Sequence, residues 1–541
     1  MSDKSNNQVL VLGDGMMGAE VANSISQAGY PVAIATDKKD IGKSHNIDLA
    51  AQIYESGSDV FVRSVEKLKD NQNVEILTES KITQVSGFVG DFQVVFQQGA
   101  QSIRKSFAAI IINSELKTQD RKKAYGLNEN EKIMSISELE ERLSCDSRVI
   151  KGKTIALLHG LKKESNPQEF GRLLTVASKL REMGNQVYVF ADNLKLTSFN
   201  LDQKYHKIRS MGVVFLKSPG TSEFIINGEQ LRIQYLDSSL LRTLELNPDY
   251  IVVDQDYFPN PQNVAISEIL GVNLSKNNFL QAENVHNLVV RSNRKGVFVV
   301  GAGKQLQSAA DSLSDVDNVV HELDRLFKLP QLKENELFAE VDTEKCVICL
   351  TCYRSCQHQA VTWVDGVAKV YEQACFACGI CASECPMNAI QVKSYGDQSL
   401  MNQVIKAAKK PNNLVAFCCK NSATEAHRAA EKLKLSITPG LEVIELPCAG
   451  KLDMELIMDT LANGADGVLA LGCHPGNCKS EKGSAFAKQR VAEMTRMMEA
   501  IGIEKERLRF GTLASNMGSI FHRQITQMEE VIKKLGPSPL K

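Results

Sequence analysis

Cysteines with the spacing of metal ligands dominate the middle of the chain. The segment CVICLTCYRSC places thiols at residues 346, 349, 352 and 356, and CFACGICASECP places them at 375, 378, 381 and 385. Both runs read Cys-x2-Cys-x2-Cys-x3-Cys. Thiolates at this spacing can wrap the corners of a cubane [4Fe–4S] cluster, and a pair of zinc knuckles is the alternative.

The double run resembles the two-cluster bacterial ferredoxins, in which the fourth cysteine of each run ligates the other cluster. The first [4Fe–4S] cluster is then predicted to bind Cys346, Cys349, Cys352 and Cys385. The second is predicted to bind Cys375, Cys378, Cys381 and Cys356. Pro386 follows Cys385 as usual, but Gln357 and His358 follow Cys356, so we expect altered solvent access at the second cluster.

Five further cysteines lie near the carboxyl end of the chain. Each group comes just after a predicted strand: Cys418 and Cys419 with NLVAF, Cys448 after LEVIELP, and Cys473 and Cys478 after GVLALG. Because parallel strands end at one edge of a sheet, we expect these thiols to lie together. Such a set favours zinc or iron–sulfur, and a [2Fe–2S] cluster is preferred here because an iron–sulfur segment precedes it. Zinc, a catalytic dithiol and unliganded core thiols stay open as alternatives.

A glycine loop near the start of the chain predicts a dinucleotide site. GDGMMG, residues 13–18, stands between a predicted strand and a predicted helix, which is the context that the Gly-x-Gly-x-x-Gly motif requires. An acidic side chain is expected where the second strand ends, but that strand is predicted to end at Thr36, one residue before Asp37. The predicted dinucleotide contacts are Gly13, Gly15, Gly18, Thr36 and Asp37. The alternative is a Rossmann-like domain that has lost its ligand.

A later glycine turn extends this site. KGVFVVGAG ends in Gly301-Ala302-Gly303, and in two-domain flavoprotein reductases a turn of this kind returns to the flavin domain. Gly301 and Gly303 are therefore candidate cofactor contacts. An ordinary strand-to-helix turn is the alternative.

The elements that must position these residues alternate between strand and helix, which predicts an α/β fold. We expect a Rossmann-like flavoprotein reductase region, a two-cluster ferredoxin domain and a small parallel-sheet α/β domain. The predicted boundaries are 1–150 with 245–330 for the dinucleotide-binding domain, 151–244 for an inserted α/β domain, 338–395 for the ferredoxin and 412–541 for the last domain.

Composition narrows the class of protein. The 541 residues carry a net charge of -1, which argues against nucleic-acid binding as the main function. No apolar run approaches the roughly 18 residues that a membrane span needs. The polar start MSDKSNNQ does not resemble a signal peptide, so we expect a cytoplasmic protein whose thiols are metal ligands and whose membrane association, if any, comes through a partner.

The C-terminal motifs carry a family resemblance. FCCK, LPCAGKLD and DGVLALGCHPGNC resemble the delta subunit of methyl-viologen-reducing hydrogenase, a [2Fe–2S] electron-transfer protein. Its Phe-x-Cys-Asn-Trp-Cys motif corresponds to residues 417–422 here, where Ser422 replaces the second cysteine. The resemblance implies four ligands, Cys419, Cys448, Cys473 and Cys478, with Cys418 in reserve. Lys451 takes the place of an arginine.

The rest of the chain resembles the A-type subunit of heterodisulfide reductase, through GDGMMGAEVANSISQAGYPVAIATDKKDIG, LNPDYIVVDQDYFPNPQNVAISEILGVNL and NRKGVFVVGAG. This resemblance implies FAD on the first glycine loop. The chain departs from the family at Thr36, in the 301–305 turn and in lacking extra cluster cysteines near 165–178. The order of segments is similar to that in the B-type subunit of the quinone-interacting membrane-bound oxidoreductase.

These observations predict an iron–sulfur and flavin electron-transfer subunit of a multisubunit redox complex. The implied partners are B-type and C-type subunits of heterodisulfide reductase, A-type and C-type subunits of the quinone-interacting oxidoreductase, or a hydrogenase. No acid–base pair or nucleophile stands out, so substrate chemistry is assigned to partners. Two alternatives stay open: a self-contained flavin-dependent NAD(P)H oxidoreductase, and a docking platform with a vestigial flavin domain that carries only the clusters.

Overall fold

The structure is a computed structural model. It describes residues 7–41, 57–127, 130–145, 150–198, 200–217, 231–237, 241–281, 284–287, 289–328, 338–407 and 413–540.

The N-terminal region contains a five-stranded parallel sheet. Its elements in chain order are β1 (Val9–Leu12), α1 (Met16–Gln27), β2 (Val32–Ala35), α2 (Gly57–Asp70), β3 (Val74–Leu77), β4 (Lys81–Phe88), β5 (Asp91–Gln98), β6 (Gln101–Phe107), β7 (Ala109–Asn113) and β8 (Lys117–Asp120). Strands β1, β2 and β7 are buried on both faces, which is why they read as continuous apolar runs. Strand β2 ends at Ala35, so Thr36 begins the following turn and does not end the strand as predicted.

A second parallel sheet follows. Its region contains β9 (Ile133–Ser135), α3 (Ile136–Cys145), β10 (Thr154–His159), α4 (Pro167–Glu182), β11 (Gln186–Ala191), α5 (Leu201–Ser210), β12 (Val214–Lys217), β13 (Ile233–Asp237), β14 (Arg242–Leu246) and β15 (Tyr250–Val253). The strand order is β12-β11-β10-β15-β9. The inserted unit thus reaches beyond the predicted 151–244, because β15 pairs with β10 and β9 pairs with β15.

The chain then returns to the first sheet. Strand β16 (Gln255–Phe258) pairs with β8, and α6 (Gln262–Leu270), β17 (Val297–Val300) and α7 (Ala309–Phe327) complete the region. The first sheet has the order β17-β7-β1-β2-β3. Helices α1 and α7 cover one face, and the antiparallel β4-β5-β6 sheet packs against the other.

The cysteine-rich segment forms a small domain of short elements. These are β18 (Ala339–Val341), α8 (Thr351–Ser355), β19 (Val361–Val364), β20 (Val367–Val370), α9 (Ile380–Ser383) and β21 (Ile390–Val392), followed by the connecting helix α10 (Asp397–Ala407). Strands β18 and β21 pair with each other, as do β19 and β20. Left-handed residues recur at matching places in the two cysteine runs, with Ile348 and Leu350 in the first and Ala377 and Gly379 in the second.

The last domain has the predicted four parallel strands, covered on both faces. Its elements are β22 (Leu414–Cys419), α11 (Ala423–Lys432), β23 (Leu441–Leu446), α12 (Met454–Ala462), β24 (Gly467–Gly472), α13 (Gly483–Ala500), β25 (Leu508–Thr512) and α14 (Gly518–Leu535). The strand order is β23-β22-β24-β25. Helices α12 and α13 pack on one face and α11 and α14 on the other. The predicted α/β fold class, with its three kinds of region, is confirmed.

Candidate metal centres

The first set of cysteines lines a cavity close to the protein surface. Cys346, Cys349 and Cys385 are neighbours of Cys352. All four line one cavity, whose other walls are mostly apolar. Cys349 is exposed, and hydrogen bonds from Thr351 hold the pKa of its thiol below the usual range. The structure therefore brings together the four cysteines predicted for the first cluster.

The second set lies deeper in the protein. Cys356, Cys375 and Cys378 are all neighbours of Cys381. Burial raises the pKa of the Cys378 thiol to about 12, and the nearby Cys356 and Cys375 add to that effect. Low dielectric surroundings of this kind disfavour free thiolates, so these sulfurs are suited to a metal that carries the compensating charge.

His358 lies beside this second set, one residue after Gln357, which stands at the position of the usual proline. The ring is 2% exposed and stacks on Phe376 with a centroid separation of 3.9 Å. Its Nδ1 donates a hydrogen bond of 2.8 Å to the Asn293 carbonyl oxygen. The buried imidazole therefore ties the ferredoxin segment to the N-terminal region.

The four C-terminal thiols predicted as ligands form a closed ring of neighbours. Cys419, Cys448, Cys473 and Cys478 are each at most 2% exposed and pack in one cluster. The sulfurs of Cys419 and Cys473 are 3.6 Å apart. Hydrogen bonds from the Cys448 and Cys473 thiols hold the pKa of Cys419 and of Cys478 well below the usual thiol range.

This donor set fits zinc or an iron–sulfur cluster, because buried thiolates are the ligands that both prefer. As the side chains stand, no group of three or more His, Cys, Asp or Glu within the described ranges forms a metal-ion site. Ser422, buried where the resemblance expects a cysteine, places its side chain beside Cys419 and Cys473.

Cys418 and Cys419 point to opposite faces of β22. Side chains alternate along a strand, and Cys418 packs with Ala416 and Phe521 under helices α11 and α14. Cys419 instead lies with the other three thiols. The geometry thus places Cys419 in the site and Cys418 in the apolar core.

The second ferredoxin set touches the C-terminal site. Cys378 packs against the four-thiol cluster, and the charge of Cys478 is among those that act on Cys378. Two contacts from the N-terminal region reach the same place: Asn284 Nδ2 donates to Cys478 O at 2.7 Å, and Lys295 Nζ donates to Cys375 O at 2.8 Å. All three regions therefore meet around these two cysteine sets.

A fully buried lysine stabilises this junction. Lys451 Nζ lies 2.5 Å from Asp397 Oδ1, and its carbonyl oxygen accepts a hydrogen bond from Ser383. A side chain at Gly379 would lie 2.8 Å from Lys451 Cδ, so the backbone beside Cys378 needs a glycine there. The close packing fixes the spacing between the second ferredoxin set and the C-terminal set.

The glycine loop has the backbone shape of a dinucleotide site. Gly13 has φ +113°, and a Cβ there would lie 2.0 Å from the Asn113 carbonyl oxygen. A Cβ at Gly18 would lie 2.2 Å from the Gly13 carbonyl oxygen, which explains the first and third glycines. Gly15 caps the N-terminus of α1, where backbone N–H groups favour an anion.

The remaining predicted contacts lie around this loop. Thr36 is buried, and its hydroxyl accepts a hydrogen bond from Lys38 N at 3.1 Å. The Asp37 carboxylate lies on the surface near Gln262. Gly301 and Gly303 form a short 3-10 turn, and the Gly301 N–H donates to Asp315 Oδ2 at 2.9 Å. That N–H is thus already satisfied within the protein.

Sequence reasoning missed two residues at these sites. Gly483 begins α13, and a Cβ there would lie 2.1 Å from Cys448 Sγ. Glu115 follows β7 and lies against Gly15, beside Asp14 and Lys38. The acidic residue Asp14 within the glycine motif was the feature of the sequence that could have drawn attention to the charges around this loop. Nothing local marked Gly483.

Comparison with known proteins matches two segments to families. Residues 414–536 match the family described as methyl-viologen-reducing hydrogenase, delta subunit, and residues 368–391 match the 4Fe-4S binding domain. The D-type iron-sulfur subunit of the F420-non-reducing hydrogenase of Archaeoglobus profundus is 34% identical over 125 residues, which are 23% of this chain and 91% of that protein.

Over nearly its whole length the chain is similar to a second protein. The A-type subunit of the ferredoxin:CoB-CoM heterodisulfide reductase of Methanosarcina mazei is 22% identical over an alignment covering 99% of this chain and 81% of the relative. Among solved structures, T. acidophilum thioredoxin reductase has a TM-score of 0.40 at 14% identity and covers 59% of this chain and 98% of its own. In the described ranges, no helix is long and apolar enough to cross a membrane.

Proposed function

We propose that this chain is an iron–sulfur electron-transfer subunit of a multisubunit redox complex of the heterodisulfide reductase type. It relays electrons between partner subunits. The contact of Cys378 with the four-thiol site carries the proposal, because it joins two cysteine sets into one continuous path. Similarity to an A-type heterodisulfide reductase subunit and to a D-type hydrogenase iron-sulfur subunit supports it.

The arrangement of the thiols supports the proposed sets of ligands. Cys346, Cys349, Cys352 and Cys385 hold one [4Fe–4S] cluster, and Cys375, Cys378, Cys381 and Cys356 hold the other. Cys419, Cys448, Cys473 and Cys478 hold a [2Fe–2S] cluster. Each bound cluster supplies reversible uptake of an electron, with no bond made or broken in a substrate.

Differences in burial among the three cysteine sets support different positions for them in the path. Cys349 and the neighbouring Val347 are exposed, and Val347 keeps 58% of its surface in solvent. Cys381 and Cys478, by contrast, are buried. The first set is thus the one that a partner subunit can approach directly, and the second set connects it to the C-terminal site.

The N-terminal region supplies a place for FAD. Gly13, Gly15 and Gly18 shape the loop at the start of α1, and the α1 N-terminus would face the diphosphate. Thr36, Asp37, Gly301 and Gly303 border the same edge of the sheet. When bound, the flavin exchanges one or two electrons with neighbouring centres.

The partners are the other subunits of such a complex. They are of heterodisulfide reductase B and C type, of quinone-interacting oxidoreductase A and C type, or of hydrogenase type. The chain acts in the cytoplasm, and any membrane association comes through a partner.

Anaerobic purification through a tag on this chain tests the proposal. We expect about ten iron atoms per chain, two [4Fe–4S] EPR signals, one [2Fe–2S] signal and co-purifying redox subunits. Iron near eight with one zinc would reject the C-terminal assignment. Diaphorase activity of the isolated chain with NAD(P)H and an artificial acceptor would instead favour a self-contained oxidoreductase.

One observation favours a second candidate, a docking platform without flavin. Two buried carboxylate oxygens, Asp14 Oδ2 and Glu115 Oε1, lie at the glycine loop without a hydrogen-bond partner. Acid extraction of the purified complex separates the two candidates, because only the first releases flavin.

A further inference from the structure

The space in front of Gly15 is filled by a side chain of the protein itself. A Cβ at Gly15 would lie 2.6 Å from Glu115 Oε1 and 3.5 Å from Glu115 Cδ. In a dinucleotide-binding loop the second glycine stays bare so that the pyrophosphate can approach the backbone. The Glu115 carboxylate therefore lies on the side of Gly15 that a pyrophosphate would use.

The charge at this position opposes an incoming phosphate. Asp14 is 5% exposed, and its Oδ2, like Glu115 Oε1, has no hydrogen-bond partner. A diphosphate placed at the α1 N-terminus would meet both carboxylates at short range. Their repulsion would offset the attraction of the helix N-terminus.

Lys38 holds the two carboxylates in place. Its Nζ lies 3.1 Å from Asp14 Oδ1 and 3.8 Å from Glu115 Oε2. Burial lowers the pKa of Lys38, but the carboxylates of Glu115 and Asp14 outweigh that effect and raise it above the usual value. The side chain is 42% exposed, so it has room to reorient toward a different anion.

We propose that Glu115 and Lys38 form a latch on the dinucleotide loop. In the flavin-free chain Glu115 occupies the diphosphate position and pairs with Lys38. The diphosphate of a flavin dinucleotide displaces Glu115 and takes Lys38 as its counter-charge. This inference rests on the FAD site of the proposed function, and it makes flavin affinity a property of Glu115.

Flavin binding to the full chain, freed of flavin and with its clusters intact, tests the latch. The probes are FAD, followed by quenching of its fluorescence, and riboflavin, which lacks phosphate. We expect Glu115→Gln to bind FAD about tenfold more tightly than the unmodified chain and Lys38→Met about tenfold more weakly, with riboflavin binding unchanged in both.

Glu75→Gln is the matched control. Glu75 also pairs with a lysine, Lys105. It accepts a hydrogen bond from Gln8, which precedes β1, so it lies at the opposite end of that strand from the glycine loop. The control should bind FAD like the unmodified chain. Glu115→Ala provides a second variant that removes the carboxylate if the glutamine substitution disturbs folding.

Two results would overturn the latch. The first is that neither Glu115→Gln nor Glu115→Ala binds FAD more tightly than the unmodified chain does. Absence of FAD binding in all three proteins counts as this result. The other is an equal gain for riboflavin, since a phosphate-free ligand should not sense the carboxylate. Iron content and EPR signals are recorded on the same samples, so a failure of the electron-transfer proposal is visible separately as missing clusters.

Discussion

Replacing Gly483 with alanine is expected to remove the C-terminal cluster and spare the rest of the protein. Gly483 is the first residue of α13, and a Cβ there would lie 2.1 Å from Cys448 Sγ and 3.3 Å from Cys478 Sγ. The backbone cannot easily retreat, because a Cβ position on the facing Gly450 lies only 3.0 Å from Gly483 Cα. The sulfur of Cys448 is the atom that has to move.

The size of that movement decides the outcome. A contact of 2.1 Å has to open by about 1 Å or more, whereas metal–ligand distances tolerate only about 0.2 Å. Rotation of one cysteine side chain is cheap for the fold, so overpacking should cost about 1–3 kcal/mol of stability at most. Iron should fall from about ten to about eight atoms per chain.

Metal analysis and EPR spectroscopy on the anaerobically purified chain provide the measurement. The [2Fe–2S] signal should disappear while both [4Fe–4S] signals persist. Gly396→Ala is the matched control. A Cβ at residue 396 would lie 3.8 Å from the nearest atom, Gln391 Oε1, which is an ordinary contact, and the φ of Gly396 is negative. Full iron and an unchanged [2Fe–2S] signal in Gly483→Ala would refute the view that Cys448 is a ligand in this packing.

Four other substitutions test two ligand assignments and one buried carboxyl group. Cys419→Ser should abolish the [2Fe–2S] signal while Cys418→Ser keeps full iron; loss of that signal in the second variant alone would reverse the assignment. Cys356→Ser should alter the EPR signal of the buried [4Fe–4S] cluster and leave that of the exposed one, although residue 356 belongs to the first cysteine run; the opposite pattern would show that each run serves its own cluster. Glu169 is fully buried, and burial raises its pKa to about 7 from the usual 4.5, so its contribution to stability is present below about pH 4.5 and is lost as pH rises through 7. The free energy of unfolding of the unmodified chain should therefore fall between pH 5.5 and pH 8 by about 2 kcal/mol more than that of Glu169→Gln. An equal pH dependence of the two proteins would contradict this.

The cysteine sets were the most predictable part of the site, because ligand spacing within one run is a local property of the sequence. The pairing of Cys356 with the 375–381 run came from the resemblance to two-cluster ferredoxins, and the structure places these thiols together. The choice between Cys418 and Cys419 needed only the alternation of side chains along β22, once its helices were known to cover both faces.

Other features depend on contacts between distant segments. Strand β15 pairs with β10 inside the second sheet, although the paired residues Ile155 and Tyr250 are 95 residues apart in the sequence. The boundary of this unit could therefore not be predicted from the local sequence pattern. Glu115 lies in the loop after β7, and it reaches Gly15 only because β7 is the neighbour of β1 in the sheet. Such placements follow from tertiary packing and have no periodic signal.

The junction around Lys451 has a consequence for how tightly the parts must bind. In relatives such as the D-type iron-sulfur subunit of Archaeoglobus profundus, the equivalent of the last domain is a separate protein of which this chain matches 91%. Here α10 and a short connection tether it to the ferredoxin, so the contact between Ser383 and Lys451 forms at a fixed local concentration in the millimolar range or above. An interface too weak to hold two free proteins together at cellular concentrations is then sufficient, and its occupancy no longer depends on how much of each partner the cell makes.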